Sequence, residues 1–171
     1  MIVSINVVPS KPSCPCGSGI PYADCCQKLH KVQQMKSTGP EQLLRARFAA
    51  YVKRDWKYVV RTTHSAAAAR AGSTSADGKI KTTFEQDVKV TMSWVEMSGL
   101  TVGDVRPVGD GASEINFWYD MKQVFELSTG ERIKNPEVKT IKECARFEME
   151  DGEWKLLSSE SNWDRNKMQE V

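Results

Sequence analysis

Apolar residues recur at two different spacings along this chain, and the change from one to the other divides it. Leu44, Phe48, Tyr51 and Val52 fall at helical spacing, so residues 40–53 read as an amphipathic helix. Thr38-Gly39-Pro40-Glu41 has the spacing of a capping box, with proline in the first turn, where its missing N–H costs nothing. Arg45 and Arg47 flank the apolar stripe on either side. Asp55 can cap a second short helix whose buried face would be Trp56, Val59 and Val60, with His64 just beyond it. Ile80, Phe84 and Val88, spaced by four, predict a third helix running towards Trp94.

Beyond that point the period becomes two. Leu100 and Val102 open a strand, and Gly109-Asp110-Gly111 marks a turn. Ile115, Phe117, Tyr119 and Met121 alternate without interruption and make the clearest strand of the chain. Ser128-Thr129-Gly130-Glu131 breaks the next segment. Ile141, Ala145, Phe147 and Met149 alternate again, Asp151-Gly152 fits a two-residue hairpin turn, and Trp154 and Leu156 return on a last strand. Helices first and antiparallel strands afterwards predict an α+β architecture. Two stretches lie outside the pattern. The Ala/Gly/Ser-rich residues 66–78 have little to bury and are expected to form a mobile loop. Residues 27–37 read as a basic connector whose His30 is open to three readings: an alternative metal ligand, a partner contact or, preferred, a solvent-facing side chain.

Of 171 residues, 40% are apolar and 27% charged, the balance of a globular domain large enough to stand without staples. The apolar runs are too short to span a membrane, and Met1 to Val8 lacks the basic start of a secretory signal. A cytoplasmic compartment is the expectation, and there clustered thiols read as metal ligands rather than disulfides. The net charge of +2 hides an asymmetry: residues 1–70 carry eleven Lys/Arg against three Asp/Glu, and residues 71–171 thirteen against nineteen. A basic first half can meet an acidic partner or RNA, or it can be a solvated surface attracted to the acidic half.

Four of the five cysteines fall within thirteen residues, as Cys14-Pro-Cys16-Gly-Ser-Gly-Ile-Pro-Tyr-Ala-Asp-Cys25-Cys26. Two close pairs separated by an eight-residue turn can wrap a tetrahedral ion at Zn–S distances of about 2.3 Å. Pro15 stiffens the first pair, Gly17 and Gly19 let the backbone fold back, and Tyr22 offers the module an aromatic to pack. Four protein ligands leave no open position, so Cys14, Cys16, Cys25 and Cys26 are read as the ligands of a structural zinc, with iron possible on the same thiolates.

Cys-Pro-Cys-Gly-Ser-Gly, a tyrosine, then Cys-Cys resembles the SEC-C zinc motif, named for the C-terminus of the SecA translocation ATPase. Leu43-Leu44-Arg45-Ala46-Arg47-Phe48-Ala49-Ala50-Tyr51-Val52, then Asp55, Tyr58 and His64, and later Glu143-Cys144-Ala145-Arg146-Phe147 and Gly152-Glu153-Trp154, resemble the YchJ family over residues 14–160. In that family a SEC-C knuckle precedes a nuclear-transport-factor-two-like domain. The resemblance implies a cone of helices packed on a curved antiparallel sheet (cystatin-like), often enclosing a pocket. The chain departs from it at Thr62-Thr63-His64-Ser65 and in residues 66–78. The expected organisation is a flexible leader over 1–13, the knuckle over 14–30, a linker over 31–37, the α+β domain over 38–162 and a tail over 163–171.

Glu143 shares the parity of Ile141, Ala145, Phe147 and Met149 and should face the interior, where an unpaired carboxylate is costly. Two explanations are open: a structural ion pair with Arg45 or Arg47, which is preferred, or a base of raised pKa at the bottom of the cone with Tyr119 or His64 nearby. Cys144, on the opposite parity beside Arg146, reads as a half-buried bystander. No phosphate loop, nucleophile elbow or aromatic RNA-binding signature occurs, which argues against nucleotide hydrolysis and sequence-specific nucleic-acid binding.

The first expectation is therefore a zinc-binding adaptor whose knuckle, with Lys28, Lys31 and Lys36, meets a protein or ribonucleoprotein partner, with a homodimer possible through the sheet. The second is a small-molecule enzyme or carrier using Glu143, Tyr119 and His64. The third is non-specific RNA or ribosome binding. A filled cone would favour the adaptor, and an open cavity at Glu143 the enzyme or carrier.

Overall fold

In the computed structural model, residues 12–31, 37, 39–126, 129–164 and 169–170 are described. The leader up to residue 11 and most of the linker, including Lys36, lie outside them. A short helix α1 (Cys26–Lys31) closes the cysteine module, and α2 (Pro40–Lys53) and α3 (Trp56–Arg61) follow. α2 spans the residues its pattern predicts, while Thr38 of the expected capping box lies outside the described residues. Its N-cap is Gly39, which has no side chain to offer, and Pro40 removes one of the orphan N–H groups instead. Asp55 caps α3 as expected, accepting from the Tyr58 amide at 3.1 Å.

The Ala/Gly/Ser stretch is ordered, contrary to expectation. It forms a 3-10 turn over Ala68–Ala71 and a small ladder of β1 (Ser73–Thr74) with β2 (Lys81–Thr82). The reason lies further along the chain, where the buried Asp87 accepts from Ser73 Oγ at 2.7 Å and Thr82 Oγ1 at 2.6 Å. Hydrogen bonds replace the apolar burial that this composition cannot supply. α4 (Phe84–Trp94) begins with a capping box of Thr83 and Gln86, and Ile80 lies outside it, 66% exposed.

β3 (Val95–Gly109), β4 (Ala112–Gln123), β5 (Val138–Glu150) and β6 (Glu153–Ser161) form one antiparallel meander in that order. Register shifts along β3, and one between β5 and β6, bend the sheet. Asp151 and Gly152 both take positive φ, 53° and 74°, at the β5–β6 turn, the conformation a tight two-residue hairpin needs. Ile115, Phe117, Tyr119 and Met121 of β4 and Ile141, Ala145 and Phe147 of β5 are buried on the concave face. Met149 breaks that alternation at 41% exposure, because it sits at the hairpin end against Gly111 rather than under a helix. Within the expected tail, β7 (Trp163–Asp164) pairs with β8 (Gln169–Glu170).

Candidate metal centre and cone cavity

The knuckle is folded by its own backbone. The Cys14 amide donates to Ile20 O at 2.8 Å, and Ser13 bridges to Pro21, so the module begins just before its first ligand. Gly17 and Gly19 take left-handed φ of 79° and 74°, and a Cβ on Gly17 would press on Leu100 O at 3.2 Å. The four sulfurs of Cys14, Cys16, Cys25 and Cys26 lie within 4.8 Å of one another, with Cys16–Cys25 at 3.6 Å and Cys25–Cys26 at 3.9 Å. A tetrahedron of Zn–S bonds near 2.3 Å has edges of about 3.8 Å, so the donor set suits a tetrahedral thiolate-bound ion.

Electrostatics agrees with that chemistry. A hydrogen bond from Cys26 holds the Cys16 thiol down at about 4, in spite of burial. The same bond, with burial, pushes Cys26 far up, and burial raises Cys14. Without a cation, thiolates this close suppress one another's ionisation, and a bound cation removes that conflict.

The knuckle is seated on the cone through named contacts. Arg45 Nη1 donates to Cys16 O at 2.8 Å, and Arg61 Nη2 donates to Leu29 O at 3.1 Å and His30 O at 2.9 Å. His30 does not face solvent. It is 7% exposed, its Nε2 donates to Ala46 O at 2.8 Å, and Tyr22 Oη donates to its Nδ1 at 2.7 Å. A carbonyl only accepts, so Nε2 carries the proton, and burial lowers the imidazole pKa. The buried cysteines and Leu29 share one apolar cluster with Leu43, Phe48 and Phe147.

The cone is not filled. A cavity of about 380 Å³ opens between α2, the segment 63–69, α4 and the concave face of β4 to β6. Glu143 lines it, as strand parity predicts, but its partner is neither arginine. Tyr119 Oη donates to Glu143 Oε1 at 2.6 Å and Ser159 Oγ donates to Oε2 at 2.5 Å. Burial first, and then the charge of Glu143, push the Tyr119 phenol well above its ordinary value of 10, so it remains a donor. Arg45 turns away to Glu41 and the knuckle. Arg47 lines the same cavity, but its Nη1 is directed at Val59 O, Thr62 Oγ1 and Thr63 Oγ1, at 2.8, 2.7 and 3.2 Å.

His64 is outside the cavity lining. Its Nδ1 accepts from the Ala66 amide at 3.0 Å and lies 3.5 Å from Glu150, so it does not join Glu143 and Tyr119. Cys144 is half-buried and apart from the metal-binding group. Lys28 and Lys31 are exposed on α1. Ser159 escaped the sequence pattern for a physical reason. Alternation from Trp154 and Leu156 would turn Ser158 inward, but β6 has one extra residue where Phe147 pairs with Leu156 and Arg146 with Ser158, which presents Ser159 instead.

A cysteine knuckle of SEC-C type seated on a nuclear-transport-factor-two-like cone defines the class of this molecule. Residues 39–159 match the family profile described as YchJ, middle NTF2-like domain, and residues 13–28 match that of the SEC-C motif. The chain belongs to the YchJ family, whose curated members carry the name UPF0225. The UPF0225 protein of Shewanella sp. strain MR-4 is 30% identical over 148 residues, covering 83% of this chain and 76% of its own length. That of Deinococcus radiodurans is 54% identical over 56 residues, 33% of this chain and 42% of the relative. The fold is shared with a SEC-C motif containing protein from Rhodopseudomonas palustris, at TM-score 0.64 and 22% identity over 87% of this chain and 98% of that one. A second such protein, from Psychrobacter arcticus, aligns at TM-score 0.61 and 19% identity, over 85% and 80%. No helix among the described residues is long and apolar enough to cross a membrane.

Proposed function

We propose that this chain is a small-molecule-binding protein whose ligand enters the cone beside Glu143, and whose knuckle is a structural zinc unit. The observation that carries this reading is the setting of Glu143: on the wall of a lined cavity, held by two neutral hydroxyls and, among the described residues, in no ion pair. A carboxylate kept only as a structural ion pair has no need of a cavity, whereas one that meets a ligand needs both an opening and free lone pairs. Oε1 of Glu143 accepts from Tyr119 and Oε2 from Ser159, and a carboxylate oxygen has two lone pairs to offer. Any chemistry on the ligand would use Glu143 as proton acceptor, with Tyr119 holding it in place. Zinc is favoured at the knuckle because four thiolates close its tetrahedral shell, and iron is the competitor at the same donors.

The test is a ligand-observed NMR screen of small fragments against the full chain and against Ala69→Phe, which fills the cavity wall. Fragments that bind the wild type, compete with one another and are lost from the filled variant support the reading. Identical binding to both proteins removes it.

An adaptor role remains a second reading, favoured by the outer side of the knuckle. There Ile20 is 48% exposed and shares a hollow with the exposed Lys28. An acidic protein or ribonucleoprotein surface suits that combination. Capture that weakens with salt and is abolished by Lys28→Glu with Lys31→Glu would support it, because exposed charges are screened over about 8 Å at physiological ionic strength. Capture unchanged by both would remove it.

A further inference from the structure

Arg47 poses a problem that the fold alone does not solve. It is a cation only 6% exposed, and among the described residues it forms no ion pair with any carboxylate. Its three hydrogen bonds all leave from Nη1 and all end on neutral oxygens. A clamp between α2 and the end of α3 accounts for that nitrogen. It leaves Nε and Nη2 without a protein partner, yet no fully buried side-chain nitrogen or oxygen among the described residues lacks one. Arg47 lines the cavity, and its Nε and Nη2 are the donors it has left to offer there.

A second guanidinium reinforces the first. Arg70 donates from Nε to His64 O at 2.9 Å and from Nη2 to the carbonyls of Val60 and Thr63, again with no carboxylate partner among the described residues. It lies on the 3-10 turn whose Ala69, with the adjacent Ala67, forms part of the cavity wall, and its charge opposes that of Arg47, less than burial does and against the favourable influence of Glu143. Arg47 and Arg70 bracket Thr63, with no carboxylate in an ion pair with either among the described residues. Although the charge of Glu143 also acts on Arg47, two guanidinium groups make this part of the cavity attractive to an anion. The same cavity presents Glu143, which accepts hydrogen bonds. Between them the walls are apolar, formed by Phe48, Val88, Phe117 and Phe147 among others.

We propose that the cone takes a small organic acid, with its carboxylate on the free N–H groups of Arg47, its apolar body against the phenylalanines, and a hydroxyl or amino donor on Glu143. This rests on the reading of the cone as a ligand site and names the chemistry of what enters it. Guanidinium matches a carboxylate through two parallel N–H bonds, a geometry that neither an amide nor an alcohol reproduces.

The experiment uses the full chain and two probes of equal size, 4-hydroxybenzoate and 4-hydroxybenzamide, titrated by calorimetry. The acid should bind at least about tenfold more tightly than the amide, the equivalent of one charge-assisted hydrogen bond. Arg47→Lys, checked for native circular dichroism, should narrow that preference while keeping amide affinity. Ala69→Phe, which leaves Arg47 in place, should abolish binding of both. Equal affinity for acid and amide overturns the inference and leaves the cone as a site for neutral molecules. Binding of neither probe overturns both the inference and the reading beneath it. Should Arg47→Lys fail to fold, the comparison of the two probes on wild-type protein still decides.

Discussion

The knuckle and the cone use their polar groups in opposite ways. In the knuckle they are directed inward, on to the backbone of the loop, the four sulfurs and the seam with α2. In the cone, Glu143, Ser159 and Arg47 face a cavity, and their protein partners do not exhaust them. The first arrangement holds a structure closed. The second leaves hydrogen-bonding capacity available, which is what a ligand site requires.

The sharpest way to break the contrast is at the metal. Cys14→Ser should release the ion, and structural zinc in small modules is worth about 10–16 kcal/mol of binding. The sequence suggests two independently stable units, but Cys14, Cys16, Cys26 and Leu29 share a core with Leu43, Phe48 and Phe147 of the cone. Loss of the ion should therefore lower the melting temperature of the whole chain as well as the metal content found by elemental analysis. A cone that melts unchanged would show the seam to be energetically idle.

A smaller effect is expected at the seam itself. Arg61→Met removes the donor to Leu29 O and His30 O and should cost about 1.5 kcal/mol, the low end for hydrogen bonds to a charged group in a partly exposed setting. Metal content should be unaffected, and chemical denaturation measures the loss.

His30 gives a third, pH-dependent effect. Burial lowers its folded-state pKa below the ordinary 6.5, so below that pH the unfolded chain binds the extra proton more readily than the folded one. The stability that neutral His30 contributes is complete above pH 6.5 and is lost as pH falls, at most about 1.4 kcal/mol per pH unit. Acid also strips thiolate-bound metal, so the direct readout is the nitrogen NMR spectrum of the ring. His30 should keep its Nε2–H neutral tautomer at pH values where a free histidine is half charged.

Much of this was legible in the chain, and what was not follows a rule. Cys14 to Cys26, the helix over 40–53, the Asp55 cap and the Asp151-Gly152 hairpin depend on residues within one or two turns of each other, and each appears as the local pattern predicts. Strand parity also turned Glu143 inward. Its partners came from Tyr119, 24 residues earlier, and from Ser159, behind a bulge that no alternation reveals. His30 is buried by Tyr58 and Ala46, and the Ala/Gly/Ser stretch is ordered by Asp87; both depend on contacts that only the tertiary fold creates. Arg45 and Arg47, the two partners expected for Glu143, were placed by helix periodicity, which fixes a face of α2 but not which carbonyls or carboxylates that face meets.

The smallest effect on stability is expected at Glu143, and it tests the central claim most directly. In Glu143→Gln the amide oxygen still accepts from one hydroxyl and no ion pair among the described residues is broken, so unfolding free energy should change by less than about 1 kcal/mol. Breaking a buried ion pair would instead cost about 3–5 kcal/mol. Thermal unfolding of the variant, run beside the fragment screen, separates the two. The account predicts a melting temperature within about 2–4 °C of wild type and lost or altered ligand binding in the cone. A strongly destabilised variant that binds the same fragments as wild type would contradict it.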